Sequence, residues 1–448
     1  MIFRFLCTLL FLAWSGTIAL AGDLDGKVVY GVMPTLFSAD DPLAGVTRRL
    51  PELADLGVDV IWLSPINPSD DESAISYSVT DYRGLREDFG TAQDFRELVA
   101  AAHKLGMEVV MDFVPNHCSR KHPWFVDAQK KGAKSPYYHY FVRDKSGEPA
   151  HYFDWENMVN LNYDNPELVR EMTDAMAYWM REYGVDGFRM DAAWGIKERS
   201  PAAWPAVIAE LEKINPRVIL IAEAPARETY YLQSHFDAAY DWTAELGHWA
   251  WEDVFKGKQV KTALLRQSLA VPSPAGVLRF LNNNDTGARF AASHEIEVTG
   301  VAAVLQFTVP GLPLVYSGDE VGAGFDPYED PPPLDWKDPD NLRPLYKRLI
   351  ALWKSSPALR SDALALLPVD GGENACAYLR GAGPHDDFAL VILNFGDQAD
   401  LTLTLPGSLP ATTVFRDALR GKNIEQRLQG DKLTLSVQAE SALILKPR

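Results

Sequence analysis

The stretch GVDGFRMDAAWG, residues 184–195, decides how this chain is read. As a strand it places Arg189 and Asp191 two residues apart, on one face of a sheet. Charges in an otherwise apolar strand need a partner or a task, because an ionised group is costly to bury alone. Seven further apolar runs recur outward from it: VVYGVMP from Val28, VDVIWLSP from Val58, EVVMDFVPN from Glu108, RVILIAEA from Arg217, FDAAYDW from Phe236, VLRFLNNND from Val277 and LPLVYSGDE from Leu312. Strands covered on both faces require near-continuous apolar runs, and eight of them separated by helical segments predict an α/β chain built on a closed (β/α)8 TIM barrel. The segment DFRELVAAAHKLG from Asp94 fits such a helix, with Phe95, Leu98, Val99 and Ala102 at helical spacing and Gly106 as its stop.

Two interruptions set the domain organisation. The connection after the third run is far longer than an ordinary βα loop and is dense in aromatics, which predicts a short inserted domain over residues 117–160 at the C-terminal mouth of the barrel. From residue 356 onward, ACAYLRG, DFALVILNF, ADLTLTLP, TTVFRD and KLTLSVQAESALILKP alternate apolar and polar residues between turns, the pattern of a C-terminal antiparallel β-sandwich domain over 356–448. The barrel then occupies 22–355. Residues 1–21 carry one basic residue, an apolar run and the small-x-small end Ala19-Leu20-Ala21, which reads as a signal peptide removed on export. The expected location is the periplasm or the extracellular medium, without stable membrane insertion.

The chain has 448 residues and balances 43 basic against 61 acidic side chains, a formal charge of −18 that repels polyphosphates and excludes nucleic acid as a partner. Of the three cysteines, Cys7 falls in the leader, and Cys118 and Cys376 belong to different predicted domains, so two free buried thiols are expected. No Cys or His spacing suggests a zinc cage, and His117, Cys118 and His122 do not make one. Oligomeric state is not legible.

Residues with chemistry cluster at the C-terminal ends of the runs, where catalytic groups of such barrels sit. The third run ends in Asp112-Phe-Val-Pro-Asn116-His117, the fourth in Arg189-Met-Asp191, the fifth in Ala222-Glu223 and the seventh in Asn283-Asn284-Asp285. One acidic strand end is commonly a cap or an ion-pair partner. Four at the same end of one barrel predict a site. Neighbouring strands lie about 4.8 Å apart, so Asp191 and Glu223 should present carboxyl groups at roughly the 5–5.5 Å of a retaining glycosidase and not the wider spacing of an inverting one. Arg189, on the face of Asp191, would keep that carboxylate charged and aimed.

The set FVPNH, GFRMD, IAE and NNND, in this order, resembles the short conserved regions of the α-amylase superfamily of retaining glycoside hydrolases, and YGVMPTLF, SYSVTDYRGLREDFGT, LNYDNPEL and GLPLVYSGDE are similar to its supporting stretches. The resemblance implies Asp191 as nucleophile, Glu223 as general acid and base, and Asp285 as the group that binds hydroxyls of the distorted sugar. It further implies substrate contacts from His117, Arg189 and Asn284, with Tyr77 as the aromatic platform, while Asp112 orders the end of its strand. Tyr152 or Trp155 of the insert is expected to reach substrate. Two positions depart from the pattern: Asn284 replaces a His, and residues 192–195, Ala-Ala-Trp-Gly, replace a Lys-His pair that accompanies calcium. No cofactor is expected for the chemistry, and calcium through Asn116 lacks its histidine partner. The expected activity is cleavage of α-1,4-glucosidic bonds in starch-derived oligo- or polysaccharides. A glucan transglycosylase, an exo-acting α-glucosidase and a non-catalytic glycan-binding relative are the alternatives.

Overall fold

Eight parallel strands close into a barrel: Val29–Val32, Val60–Leu63, Glu108–Phe113, Gly187–Met190, Ile219–Pro225, Ala238–Tyr240, Val277–Arg279 and Leu312–Tyr316. They are the eight apolar runs, each beside its neighbour in the chain, and the first strand pairs with both the second and the eighth. The computed structural model describes residues 24–71, 73–243, 247–251, 265–266, 269–372, 374–381, 387–407, 409–410 and 412–447. The signal peptide expected at 1–21 lies outside them.

Helices between the strands form where the sequence supplies both an apolar stripe and a start signal. The helix Ala92–Lys104 opens on a reciprocal cap in which the Thr91 hydroxyl accepts from the Asp94 amide and the Asp94 carboxylate accepts from the Thr91 amide. It buries Phe95, Leu98, Val99 and Ala102, and the three larger side chains stabilise the fold by about 1.5–3 kcal/mol each. The helix Pro166–Tyr183, which leads into the fourth strand, starts on Asn165 and ends on Gly184 at φ 74°. That end delivers the chain to Gly187, where a Cβ would lie 2.0 Å from the Ile219 carbonyl oxygen, so only glycine lets the fourth and fifth strands approach.

The insert carries the helix Pro123–Lys131 and a three-stranded sheet in the order His117–Ser119, Trp155–Asn160, His151–Tyr152. At the C-terminus, a six-stranded antiparallel sheet faces a four-stranded one, with Leu379, Leu390, Ile392, Leu401, Leu403, Leu433 and Leu445 in the core between them. The final apolar run divides into Lys432–Val437 and Ser441–Pro447, which belong to different sheets, and Glu440 takes a left-handed turn between them at φ 42°. The helix Ile296–Thr308 is buried nearly all round because the barrel covers one face and the C-terminal sheet the other. Buried Arg380 donates to the carbonyls of Thr308, Leu359 and Ser361 and fastens the two parts together. Cys118 and Cys376 are free and buried.

Candidate active site

Strand register builds the site from below. Asp112 of the third strand sits opposite Arg189 of the fourth, and Met190 opposite Ala222 of the fifth. Asp191 and Glu223 are therefore the next residues up on adjacent strands. The register between the fifth and sixth strands shifts between Ala222 and Pro225, an irregularity that spans Glu223. Directly after Asp191, Ala192 adopts a left-handed conformation at φ 43°, and its amide donates to Glu223 Oε2 at 2.6 Å. A non-glycine residue held in that region stores strain where the barrel must turn abruptly.

Arg189 is fully buried and is the hub. Its Nη1 donates to Asp112 Oδ1 at 2.9 Å and Oδ2 at 3.1 Å, and to Asp191 Oδ1 at 3.1 Å. Its Nη2 lies 2.9 Å from Glu223 Oε2 and 3.7 Å from Asp285 Oδ2, ion contacts that lack hydrogen-bond alignment. Nε donates to the Tyr240 hydroxyl at 3.0 Å, and the guanidinium carbon stands 5.3 Å from the Trp62 ring centre. The sequence reading assigned this arginine to Asp191. The structure distributes it over four carboxylates, with two of its hydrogen bonds on Asp112, its register partner.

One guanidinium faces four carboxylates, and three of them, Asp112, Asp191 and Glu223, are buried, so protons are retained. Burial raises the Asp191 carboxyl well above the ordinary range, the charge of Glu223 raises it further, and Arg189 only opposes this. Burial, followed by Glu223, pushes Asp285 up to about 7. Burial pushes Asp112 up to about 6 against the pull of Arg189.

These groups floor a cavity of about 370 Å³ whose lining includes Tyr77, His117, Tyr152, Trp155, Asp191, Glu223, Asp285 and Tyr328. His117 is held neutral, its imidazole pushed down to about 3 by burial, and its Nε2 faces Asp191 Oδ2 at 3.9 Å. Neither atom has a hydrogen-bond partner among the described residues. Two buried, unpaired polar atoms aimed into one cavity are suited to a polar ligand. The His117 ring stacks on Tyr152 at 4.4 Å. The Tyr77 hydroxyl donates to Asp112 Oδ2 at 3.3 Å.

Arg189 and Asn284 lie one layer beneath the cavity and reach it through the groups they hold. The Asn284 amide nitrogen donates to the Tyr77 hydroxyl at 2.8 Å and to Asp285 Oδ1 at 2.9 Å. Three rim residues escaped the sequence reading. Tyr328, 51% exposed, donates its hydroxyl to Asp285 Oδ1 at 3.0 Å from the loop after the eighth strand. Asp330 of the same loop accepts from the Ala74 amide at 2.7 Å and joins it to the loop after the second strand. Trp194 stands 5.5 Å from Phe153 and 6.1 Å from Tyr152, and Phe153 and Trp155 are 59% and 53% exposed. No periodicity marks these loop positions. The one available signal was two tryptophans and a phenylalanine in polar surroundings.

The oxygens that a calcium ion would use near Asn116 are engaged. Asn116 Oδ1 accepts from Arg199 Nη2 at 2.6 Å, and Asp164 Oδ1 accepts from the Ser200 hydroxyl at 2.8 Å. A divalent cation there would meet a guanidinium, so the residues present do not fit one.

Comparison with known proteins agrees with this architecture. Residues 35–330 match the family model described as Alpha amylase, catalytic domain. Alpha-amylase MalA of Haloarcula japonica is 30% identical over 410 residues, covering 89% of this chain and 59% of that protein. A cyclomaltodextrinase of a Bacillus species is 29% identical over 404 residues, covering 85% and 70%. This chain thus spans well under the full length of either relative. The crystal structure of the maltogenic alpha-amylase AmyB from Thermotoga neapolitana superposes with a TM-score of 0.80 at 24% identity, covering 94% of this chain and 99% of that one, a likeness of fold. With its barrel, its carboxylates at the strand ends and a family match across most of the barrel, the chain belongs to the α-amylase family of glycoside hydrolases.

Proposed function

We propose that this protein is an exported retaining glycosidase that cleaves α-1,4-glucosidic bonds of starch-derived oligo- or polysaccharides by double displacement. One observation carries the reading: Asp191 and Glu223 end adjacent strands, and a single buried guanidinium touches both, at 3.1 and 2.9 Å. Adjacent strand ends that share one guanidinium favour the closer spacing of a nucleophile and an acid over the wider, water-activating pair of an inverting enzyme.

In this reading the proton retained by the crowded pair sits on Glu223, so that ionised Asp191 attacks the anomeric carbon while Glu223 protonates the departing glycosidic oxygen. Glu223 then takes a proton from water, which releases the sugar from Asp191 with its configuration retained. Asp285 holds ring hydroxyls, and His117 Nε2, unpaired in the cavity, supplies a further contact. Tyr77 forms the platform. Transfer to a second sugar is the alternative outcome, and the exposed aromatics Phe153 and Trp155 beside Trp194 favour it as a stacking surface for an acceptor.

The deciding experiment is digestion of maltoheptaose with the anomeric configuration followed by NMR and the products sized. Initial formation of α-anomers is expected. Initial β-anomers would overturn the mechanism, and longer oligosaccharides than the starting one would shift the reading to transfer. Export is tested by the N-terminus of protein recovered from periplasm or medium, expected at Gly22.

A further inference from the structure

Asn116 is where three segments of the chain meet. It follows the third barrel strand and opens the insert, whose far end returns to it when the Leu161 amide donates to the Asn116 carbonyl at 3.0 Å. The third segment is the helix Ala193–Arg199, which begins two residues after Asp191. Arg199 closes that helix, and its Nη2 lies 2.6 Å from Asn116 Oδ1 and 3.4 Å from the Asn116 carbonyl oxygen. The approach depends on Gly195: a Cβ there would lie 2.5 Å from Asn116 Oδ1 and 3.2 Å from Arg199 Nη1. Asn116 is fully buried, and its amide nitrogen contacts His117 Nδ1 at 3.2 Å. The junction therefore fixes the ring that faces Asp191 across 3.9 Å.

We propose that the Arg199 guanidinium is a built-in cation at this junction, that it takes the place of a bound divalent ion, and that it positions His117 against Asp191 so that the enzyme works without calcium. A guanidinium suits the place because it carries a permanent charge and a planar fork of donors, which can serve a side-chain amide oxygen and a backbone carbonyl together. Its occupancy does not depend on ion concentration. Ser200, immediately after Arg199, donates its hydroxyl to Asp164 Oδ1 at 2.8 Å and holds the helix end in place.

The first test uses the unaltered protein. Thermal midpoint and initial rate on a nitrophenyl maltooligosaccharide are measured in excess chelator and in millimolar calcium chloride, and the two conditions are expected to agree. A midpoint that falls by roughly 3 °C or more in chelator, or a rate that falls about tenfold, with recovery on adding calcium, would overturn the proposal. The second test is Arg199→Ala. Its midpoint should fall, kcat should fall more than KM rises, and methylguanidinium or calcium added to the variant should restore part of both, with no such response in the wild type. Arg199→Lys should retain more of both than Arg199→Ala. A wild-type midpoint and rate in Arg199→Ala, or failure of lysine and of both added cations to restore anything, would refute the role. The midpoint measurements assume nothing about catalysis, so they stand even where the proposed chemistry fails.

Discussion

Replacing Arg189 by Met removes the guanidinium that, among the described residues, contacts all of Asp112, Asp191, Glu223 and Asp285, while keeping a side chain of similar length. The four ion contacts span 2.9 to 3.7 Å, and at an effective dielectric of about 20 each corresponds to a gross attraction of roughly 4.5–6 kcal/mol. Most of that is offset by the desolvation of the groups, and removing one member of a buried ion cluster costs about 3–5 kcal/mol net. The midpoint should fall by roughly 5–10 °C at pH 8. The pH dependence is the sharper signature. Folded-state values raised to about 6 for Asp112 and about 7 for Asp285 mean that the native state holds protons that the unfolded chain releases. Their favourable contribution is complete below the ordinary carboxylate range and is lost as pH rises through these values. Without Arg189 the same groups titrate higher still, so the variant loses stability more steeply between pH 5 and pH 8. Scanning calorimetry of both proteins at the two pH values should show a small gap at pH 5 and the full gap at pH 8. A variant within about 2 °C of wild type at pH 8, or a gap that is equal at both, would refute the view that one guanidinium governs the four carboxylates.

Asp191→Asn should lower turnover on a nitrophenyl maltooligosaccharide by about 10⁴-fold or more. Its midpoint at pH 8 should be unchanged or higher, because one of four crowded carboxylates is gone and an amide oxygen still accepts from Arg189; a fall of several degrees would make Asp191 a structural ion-pair partner. Asn284→His should raise turnover by up to about tenfold, since an imidazolium beside Asp285 would hold that carboxylate ionised where an amide cannot, and should lower the midpoint because Asn284 is fully buried. Unchanged turnover would show that Tyr77 and Tyr328 already compensate. Trp194→Ala should raise KM for maltoheptaose by about three- to tenfold, the loss of one stacking contact, and leave KM for a monosaccharide nitrophenyl glucoside as it was; equal effects on both substrates would exclude an acceptor-side role.

The barrel was legible because its signal is repeated: eight apolar runs recur, and each became a strand beside its neighbour in the chain. Asp112, Arg189, Asp191, Glu223 and Asp285 were legible for a related reason. Each stands at or just beyond the end of a strand run, where alternation decides which face it takes, and the barrel alone supplies the common end. What could not be read was how the charge is shared. Register between the third and fourth strands pairs Arg189 with Asp112, and register is a property of two segments 77 residues apart, not of either one.

The remaining residues escaped for a different reason, and it bears on how the site works. Tyr328, Asp330, Trp194 and Arg199 come from loops or a helix end whose course follows from tertiary contacts, such as the Asp330 carboxylate on the Ala74 amide or Gly195 against Asn116. Arg189, Asp112, Asp191 and Glu223 stand at strand ends and are shielded from solvent. The rim is held by single hydrogen bonds and ring contacts and is half exposed at Tyr328, Phe153 and Trp155. Rigid, over-determined placement belongs to groups whose pKa values must be kept apart from water, and looser placement to groups that meet the ligand. Substitutions at Phe153, Trp155 or Trp194 should therefore change which α-glucan is bound while leaving the protonation of the cluster intact, whereas substitutions at Arg189, Asp112 or Tyr328, which donates to Asp285, should alter the pH profile with every substrate alike.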